Sequence, residues 1–329
     1  MKMHIKLEED EVVQSITVKI VAVRPLTASV REIRLAPIGE ASLPSFEAGA
    51  HIRISLPDGD TRAYSLIEFA AIPEAPDHYQ IAVQLEADSK GGSAFMHGLS
   101  VGDEIAISAP KNDFPLVGYT PVMLLAGGIG VTPMISMAAT LVAAGRNFEF
   151  HYAARNADVI AYRDELTGVC GDALHVHFDD DPATALKLDK LLGQITEEQH
   201  LYVCGPRGMI DAAKAIAEAA GIDAQRVHFE LFDTPAQAEG DAPFEVELSS
   251  SGEVFTVQPG QTIIEVLEEG GVDVMYDCQR GDCGICRCDV ISGTPDHRDV
   301  VLSESERAAG NVMQICVSRS KSPRLVLDL

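Results

Sequence analysis

Four of the seven cysteines, Cys278, Cys283, Cys286 and Cys288, fall within eleven residues, and Cys316 stands well downstream. The spacing Cys278-x4-Cys283-x2-Cys286 followed by a distant cysteine suits four thiolates wrapped around one [2Fe–2S] rhomb, two per iron. Three ligands then come from one tight loop and the fourth from a distant strand. Gly281 and Gly284 let such a loop turn without a Cβ clash and aim backbone N–H groups at sulfur. Zinc is the alternative for four thiolates. Structural zinc sites, however, usually show two short C-x2–4-C pairs, and this sequence has one. Cys288 does not fit the spacing. On an extended strand it shares a face with Cys286, so an exchange of ligands stands beside the plainer reading of a buried non-ligand thiol.

A second group is Arg62-Ala63-Tyr64-Ser65, which follows the strand-like run HIRISLP and a Pro57-Asp58-Gly59 turn. Arginine makes charge-assisted bonds to phosphate. Tyrosine can lie flat on an isoalloxazine ring, and a serine hydroxyl can bond near flavin N5, where hydride arrives. In Lys90-Gly91-Gly92-Ser93 the glycines let backbone N–H groups converge on an anion, and Ser93 adds a donor. The third group is Gly127-Gly128-Ile129-Gly130-Val131-Thr132-Pro133, between the apolar run VMLLA and a helical pattern. Here glycines admit a pyrophosphate close to the backbone. Thr132 is expected to cap the helix and Pro133 to occupy its first position. The helix start would offer N–H donors to the anion. Cys204-Gly205-Pro206, followed by Met209, ends another apolar run. That is where ligands bind in open parallel sheets.

These groups need elements to hold them. Residues 1–112 contain short Val- and Ile-rich runs separated by turn residues, the pattern of a small antiparallel barrel. Residues 113–232 alternate apolar strands with helical patterns, which means a parallel sheet with helices on its faces. Residues 233–243, DTPAQAEGDAP, have little to bury and read as a linker. From 244 to 329 a hairpin pattern turns at Ser251-Gly252. A short helix follows, with a Thr262/Glu265 capping box and a Gly270-Gly271 end. The expected fold class is multidomain β and α/β: an antiparallel flavin-binding β-barrel, a parallel-sheet nucleotide-binding domain and a C-terminal β-grasp ferredoxin-like domain.

The formal net charge of −25 would repel a phosphate backbone, so no nucleic-acid partner is expected. The acidity serves solubility or steers the chain toward a basic protein surface. No apolar run suits a signal peptide or a membrane span, which predicts no membrane and a cytoplasmic protein. The odd, clustered cysteines argue against a disulfide framework. Cys170 reads as a small buried hydrophobe. His151, His175 and His177 lie on strand patterns with no metal spacing, and read as packed or exposed rather than catalytic.

Residues 278–329, with TPDHRD, an E-x-x-A helix and the tail SPRLVLDL, closely resemble the C-terminus of the phthalate dioxygenase reductase family, which includes vanillate O-demethylase reductases. The R-A-Y-S and G-G-x-G-x-T-P motifs occur upstream in that family's order, so the resemblance spans essentially the whole chain. It implies FMN, although several relatives use FAD, and it implies that the Lys90–Ser93 loop and its helix hold the flavin phosphate. Cys204 then lies near nicotinamide C4 as a positioning residue. Glu230 and Phe232 form the aromatic edge beside flavin and nicotinamide. Ser65, Cys204 and Phe232 are the residues expected at hydride transfer. Arg155 is one basic residue where a 2′-phosphate would want them; the resemblance implies NADH rather than NADPH. The implied partner is a Rieske-type oxygenase served by a monomeric reductase, with Arg280, Arg287 and Arg298 meeting its acidic groups. Hydride carries two electrons and the cluster accepts one, and a flavin can do both, which is why the three modules share a chain. A cytochrome P450 or a separate ferredoxin is the alternative partner. A redox sensor that binds the cofactors without turnover is the alternative class.

Overall fold

The computed structural model describes residues 15–39, 42–87, 91–118, 121–232 and 240–329. The polar stretch 1–14, Lys90 and residues 233–239 of the expected linker lie outside the described residues. The chain divides into two compact units, 1–228 and 229–329.

The first unit carries two sheets. Strands β1 (Ile16–Pro25), β2 (Val30–Pro37), β3 (His51–Ser55), β4 (Thr61–Ser65), β5 (Tyr79–Gln84) and β6 (Glu104–Ile107) pair antiparallel in the order β4-β3-β6-β1-β2-β5. Just past β4, the Ile67 N–H donates to the Gln80 carbonyl at 2.8 Å, which joins the two edges and closes the barrel. Closure removes the unpaired edges an open sheet would expose. Inside, Ile20, Ile33, Leu35, Ile52, Ile54 and Ile81 pack around Met96 of α1 (Gly92–Gly98).

The second sheet follows, its last strand running past His228, where the first unit ends. Its strands are β7 (Val122–Gly127), β8 (Phe148–Ala154), β9 (Leu174–Phe178), β10 (His200–Cys204) and β11 (Val227–Glu230), in the order β11-β10-β7-β8-β9. Pairing is parallel from β10 through β7 and β8 to β9. Crossover helices α2 (Val131–Ala143), α3 (Arg163–Cys170), α4 (Leu188–Leu192) and α5 (Arg207–Ala219) connect the strands. All six residues of β7 are buried, as a central strand covered on both faces requires.

The second unit contains β12 (Phe244–Leu248), β13 (Val254–Val257), α6 (Ile263–Glu269), β14 (Arg287–Ser292), β15 (Pro295–Asp296), α7 (Glu304–Ala309), β16 (Val312–Gln314), β17 (Arg319–Ser320) and β18 (Arg324–Leu327). The main sheet runs β13-β12-β18-β14-β16. The hairpin β12/β13 is antiparallel and β12/β18 is parallel, the β-grasp arrangement. Helix α6 sends Ile263, Ile264, Val266 and Leu267 into this core. It begins on the expected capping box, with Glu265 N–H to Thr262 Oγ1 at 3.1 Å and Thr262 N–H to Glu265 Oε2 at 2.7 Å. It ends in a Schellman motif: Gly271, at φ 79°, donates to Glu268, and Val272 donates to Leu267. No helix among the described residues is long and apolar enough to cross a membrane.

Candidate functional site

Strand β4 places Arg62, Ala63, Tyr64 and Ser65 opposite Ile54, Arg53, Ile52 and His51 of β3. Side chains alternate across the strand, so Arg62 and Tyr64 share one face and Ala63 and Ser65 the other. Arg62 pairs with Asp60 and donates to the Thr61 carbonyl at 2.9 Å. Burial pushes the Tyr64 phenol up to about 12, so it stays neutral. The Ser65 hydroxyl is buried and has no hydrogen-bond partner among the described residues, and a buried hydroxyl without a partner costs free energy. A bound polar group would satisfy it. Gly91 precedes α1 at φ 102°, and a Cβ on Gly92 would come within 2.7 Å of Arg62 Cγ. Ser93 Oγ accepts the Glu86 N–H at 3.2 Å. Arg62 and the glycines thus form a close cradle, which fits a flavin phosphate by its charge and its exposed backbone.

The strand end after β4 is pinned to α2 by Ser136, which is fully buried. Its hydroxyl donates to the Leu66 carbonyl at 2.8 Å and accepts the Glu68 N–H at 2.9 Å. Nothing in the sequence marks this serine, because only the folded unit brings residues 66–68 to the helix.

The two glycine-bearing turns after β7 and β10 meet. A Cβ on Gly130 would lie 2.3 Å from the Cys204 carbonyl oxygen, and one on Gly127 would lie 2.7 Å from Pro206 Cδ. A Cβ on Gly205 would lie 2.5 Å from Met209 Cε. Gly128 takes φ 55°, which favours glycine. The two turns thus pack backbone to backbone with no room for side chains between them, and Gly128, where a Cβ would touch nothing, leaves a glycine-lined groove open beside the junction. Cys204 ends β10 beside Ala126 of β7 and is buried. Arg155 is exposed at the carboxyl end of β8. Phe232 is half-buried just past β11, and Glu230 is buried on it.

Thr132 does not cap α2. A 3-10 turn at Gly128–Gly130 feeds directly into the helix, whose cap position is Gly130, so Thr132 and Pro133 are its second and third residues. The Thr132 hydroxyl instead donates back to the Ile129 carbonyl at 3.1 Å. Pro133 still sits in the first turn, where no N–H partner exists within the helix.

In the second unit the four thiols form one connected set. Hydrogen bonds with Cys283 and then Cys316 hold the Cys278 thiol far below its usual value. A hydrogen bond with Cys316 lowers Cys286 likewise, while the same contacts push Cys316 up. The backbone supports the negative forms: Arg280 N–H donates to Cys278 Sγ at 3.3 Å. Gly281 and Gly284 take φ 81° and 79°, as expected of the loop, and Val317 Cγ2 would touch a Cβ on Gly281 at 2.6 Å. Cys278 meets Cys283 and Cys316, and Cys316 meets Cys286, a connected set of sulfurs that suits a thiolate-held cluster. The Cys288 thiol bonds instead to the Asp289 and Asp328 carbonyls, and burial pushes it up to about 12.

Two residues around this loop escaped the sequence reading. Asp282 Oδ2 accepts the Leu231 N–H at 3.0 Å and lies 3.6 Å from Arg280 Nε, and burial raises its carboxyl to about 7. Gln314, at the end of β16, is fully buried, with Oε1 3.3 Å from Cys286 Sγ and Nε2 without a partner. The arginines expected to meet a partner are engaged within the chain instead. Arg280 reaches Asp282 and Glu230, Arg287 bonds Glu306 at 2.8 Å, and Arg298 grips Asp241 and Asp296. Local carboxylates spend these charges, a pairing across loops that composition does not reveal.

The histidines are packed. His151 Nδ1 lies 3.0 Å from His177 Nε2, and His151 stacks on His175 at 4.8 Å. Burial lowers His151 to about 4, which keeps it neutral. Cys170 is buried, and burial raises it to about 11.

A barrel with an orphan hydroxyl, a side-chain-free groove at the strand ends of a parallel sheet, and a four-thiol loop define an NAD(P)H-dependent iron–sulfur oxidoreductase. Residues 246–321 match the 2Fe-2S iron-sulfur cluster binding domain, and residues 124–215 match the oxidoreductase NAD-binding domain. The chain is 40% identical over 326 residues to tetrachlorobenzoquinone reductase of Sphingobium chlorophenolicum, covering 96% of this chain and 99% of that one. It is 42% identical to vanillate O-demethylase oxidoreductase of Pseudomonas putida, covering 88% and 92%. Among solved structures, phthalate dioxygenase reductase, described as a modular structure for electron transfer from pyridine nucleotides to [2Fe-2S], superposes with a TM-score of 0.72. It is 36% identical, and the match covers 96% of this chain and 98% of that one. The chain belongs to the phthalate dioxygenase reductase and vanillate O-demethylase reductase family.

Proposed function

We propose that this chain is the reductase component of a two-component Rieske-type oxygenase or O-demethylase, fed by NADH and carrying FMN and a [2Fe–2S] cluster. What supports the reading is similarity along nearly the whole chain to a vanillate O-demethylase oxidoreductase. When bound, FMN accepts hydride as an electron pair and the cluster passes electrons on singly. The chain's own residues do the holding. Arg62, Lys90, Gly91, Gly92 and Ser93 take the flavin phosphate. Tyr64 lies flat on its ring, Ala63 contributes from the strand beside it, and the Ser65 hydroxyl bonds near N5. Gly127, Gly128, Gly130, Thr132 and Pro133 admit the dinucleotide pyrophosphate, and Arg155 stands at its ribose end. Cys204, Gly205, Pro206 and Met209 position the nicotinamide, with Phe232 as the aromatic edge. Cys278, Cys283, Cys286 and Cys316 ligate iron. Module limits at 1–112, 113–232 and 244–329, with a linker at 233–243, follow from the same reading, as do a monomer and a cytoplasmic location.

The test is reconstitution. The purified holoprotein, mixed with NADH and a Rieske-type oxygenase of the vanillate O-demethylase kind, should support conversion of that oxygenase's substrate. NADH oxidation that never reaches the oxygenase, or zinc in place of iron and acid-labile sulfide, overturns the reading. A second reading rests on the similarity to tetrachlorobenzoquinone reductase: direct reduction of a quinone. NADH-driven reduction of a halogenated quinone without any partner protein would favour it.

A further inference from the structure

The Gln314 side chain is fully buried. Its Oε1 lies 3.3 Å from Cys286 Sγ, with the cysteine drawn as a thiol donor, and its Nε2 has no partner. The residue is held firmly at this place. It is the last residue of β16, facing Arg287 of β14, and its carbonyl accepts N–H bonds from Val317 and Ser318. The neighbouring Ile315 N–H donates to the Cys286 carbonyl at 3.2 Å.

This arrangement suits a protonated cysteine and fails an iron-bound one. A thiolate has no proton to give, so Oε1 would face a negative sulfur, and the two N–H groups on Nε2 would stay buried and unused. The oxygen and nitrogen of an amide have nearly the same shape, and their assignment follows the hydrogen-bond network. Turning the amide over puts Nε2 at about the Oε1 position and aims an N–H at Cys286 Sγ, giving the thiolate a donor and the nitrogen an acceptor. Hydrogen bonds to ionised acceptors are the stronger kind.

We propose that the Gln314 amide donates an N–H···S hydrogen bond to the Cys286 thiolate and thereby raises the reduction potential of the cluster. The inference rests on the reading of Cys286 as an iron ligand. A donor at a ligating sulfur stabilises the more electron-rich, reduced cluster over the oxidised one, and such bonds are among the levers that set cluster potentials. Gln314 is a positioning and tuning residue. It touches a ligand and not the iron.

The holoprotein tests this through an EPR-monitored redox titration. Gln314→Met keeps an unbranched side chain but removes the donor. It should shift the equilibrium toward oxidised cluster by about tenfold, or about 59 mV for one electron. Gln314→Glu, which offers an acceptor and a charge instead, should shift it further the same way. FMN content and the rate of flavin reduction by NADH should not change in Gln314→Met. An unchanged midpoint with full cluster occupancy overturns the proposal. Should the variants fail to hold the cluster, the native protein decides. Glutamine labelled with 15N at the side chain should show a nitrogen hyperfine coupling to the reduced cluster, and its absence overturns the proposal. Iron and acid-labile sulfide missing from the native protein would overturn the ligand assignment itself, a separate and distinguishable failure.

Discussion

The cysteine loop of the second unit and the paired turns of the first both depend on glycine backbone where a side chain would clash, but they are built by different means. The loop is largely self-contained. Three of its four thiols lie within nine residues, two glycines with positive φ shape it, and its own Arg280 amide bonds Cys278. The groove is built by contact between remote segments. Gly130 must sit against Cys204, and Gly127 against Pro206, more than seventy residues away in sequence. A local site is fixed by chemistry along the chain. A remote one is fixed by how strands and helices pack, and Ser136, bonded to Leu66 and Glu68, shows the same dependence.

If that difference holds, damage should stay within the region struck. Cys316→Ser should have the largest effect. The cluster should be lost, and NADH-driven cytochrome c reduction should fall by at least about a hundredfold, while NADH–ferricyanide activity through the flavin persists. Cluster EPR and the two assays check this together. Loss of both activities would show that the units are not independent.

Gly130→Ala comes next. Its Cβ would meet a backbone carbonyl at 2.3 Å, which cannot give way as a flexible side chain would. Overpacking of this kind costs about 1–3 kcal/mol or more. The KM for NADH should rise at least about tenfold with the cluster EPR signal intact. An unchanged KM would separate the groove from nicotinamide binding.

Ser136→Ala should be milder. It leaves a buried carbonyl and a buried N–H without partners, a cost of about 1–3 kcal/mol. Thermal unfolding of the first unit should move down, and hydride transfer should slow while the cluster midpoint stays put. A shifted midpoint would contradict the separation.

The smallest effect belongs to Glu306 on α7. The Ser303 N–H and then the Arg287 guanidinium hold its carboxyl down at about 2. A carboxyl depressed in the folded state adds stability above its unfolded value, and that stability is lost as pH falls from about 4.3 toward 2. The pair is exposed, so solvent screening keeps the contribution below about 1 kcal/mol. Glu306→Gln should lower the melting temperature of the cluster-bearing unit slightly at neutral pH and flatten its acid limb, the two proteins converging as pH approaches 2.

Several residues show where reading along the chain stopped short. The capping box at Thr262 and Glu265 was legible because both partners lie within one turn. Thr132 was misjudged because the preceding 3-10 turn, invisible in composition, moved the helix start to Gly130. Arg298 is gripped by the remote Asp241 as well as by its neighbour Asp296, and Arg280 lies near Asp282 and Glu230, contacts that composition does not reveal. Gln314 carried no motif at all.

The sequence by itself determined the order of the modules, the four candidate iron ligands and the glycines that must lack side chains. Those rest on short-range spacing and on conformations only certain residues adopt. Tertiary structure alone decided that Ser65 keeps an unpartnered hydroxyl, that Ser136 ties the end of β4 to α2, and that Gln314 stands against Cys286. Burial and partnership are properties of the packed chain, set by which distant surfaces exclude water together.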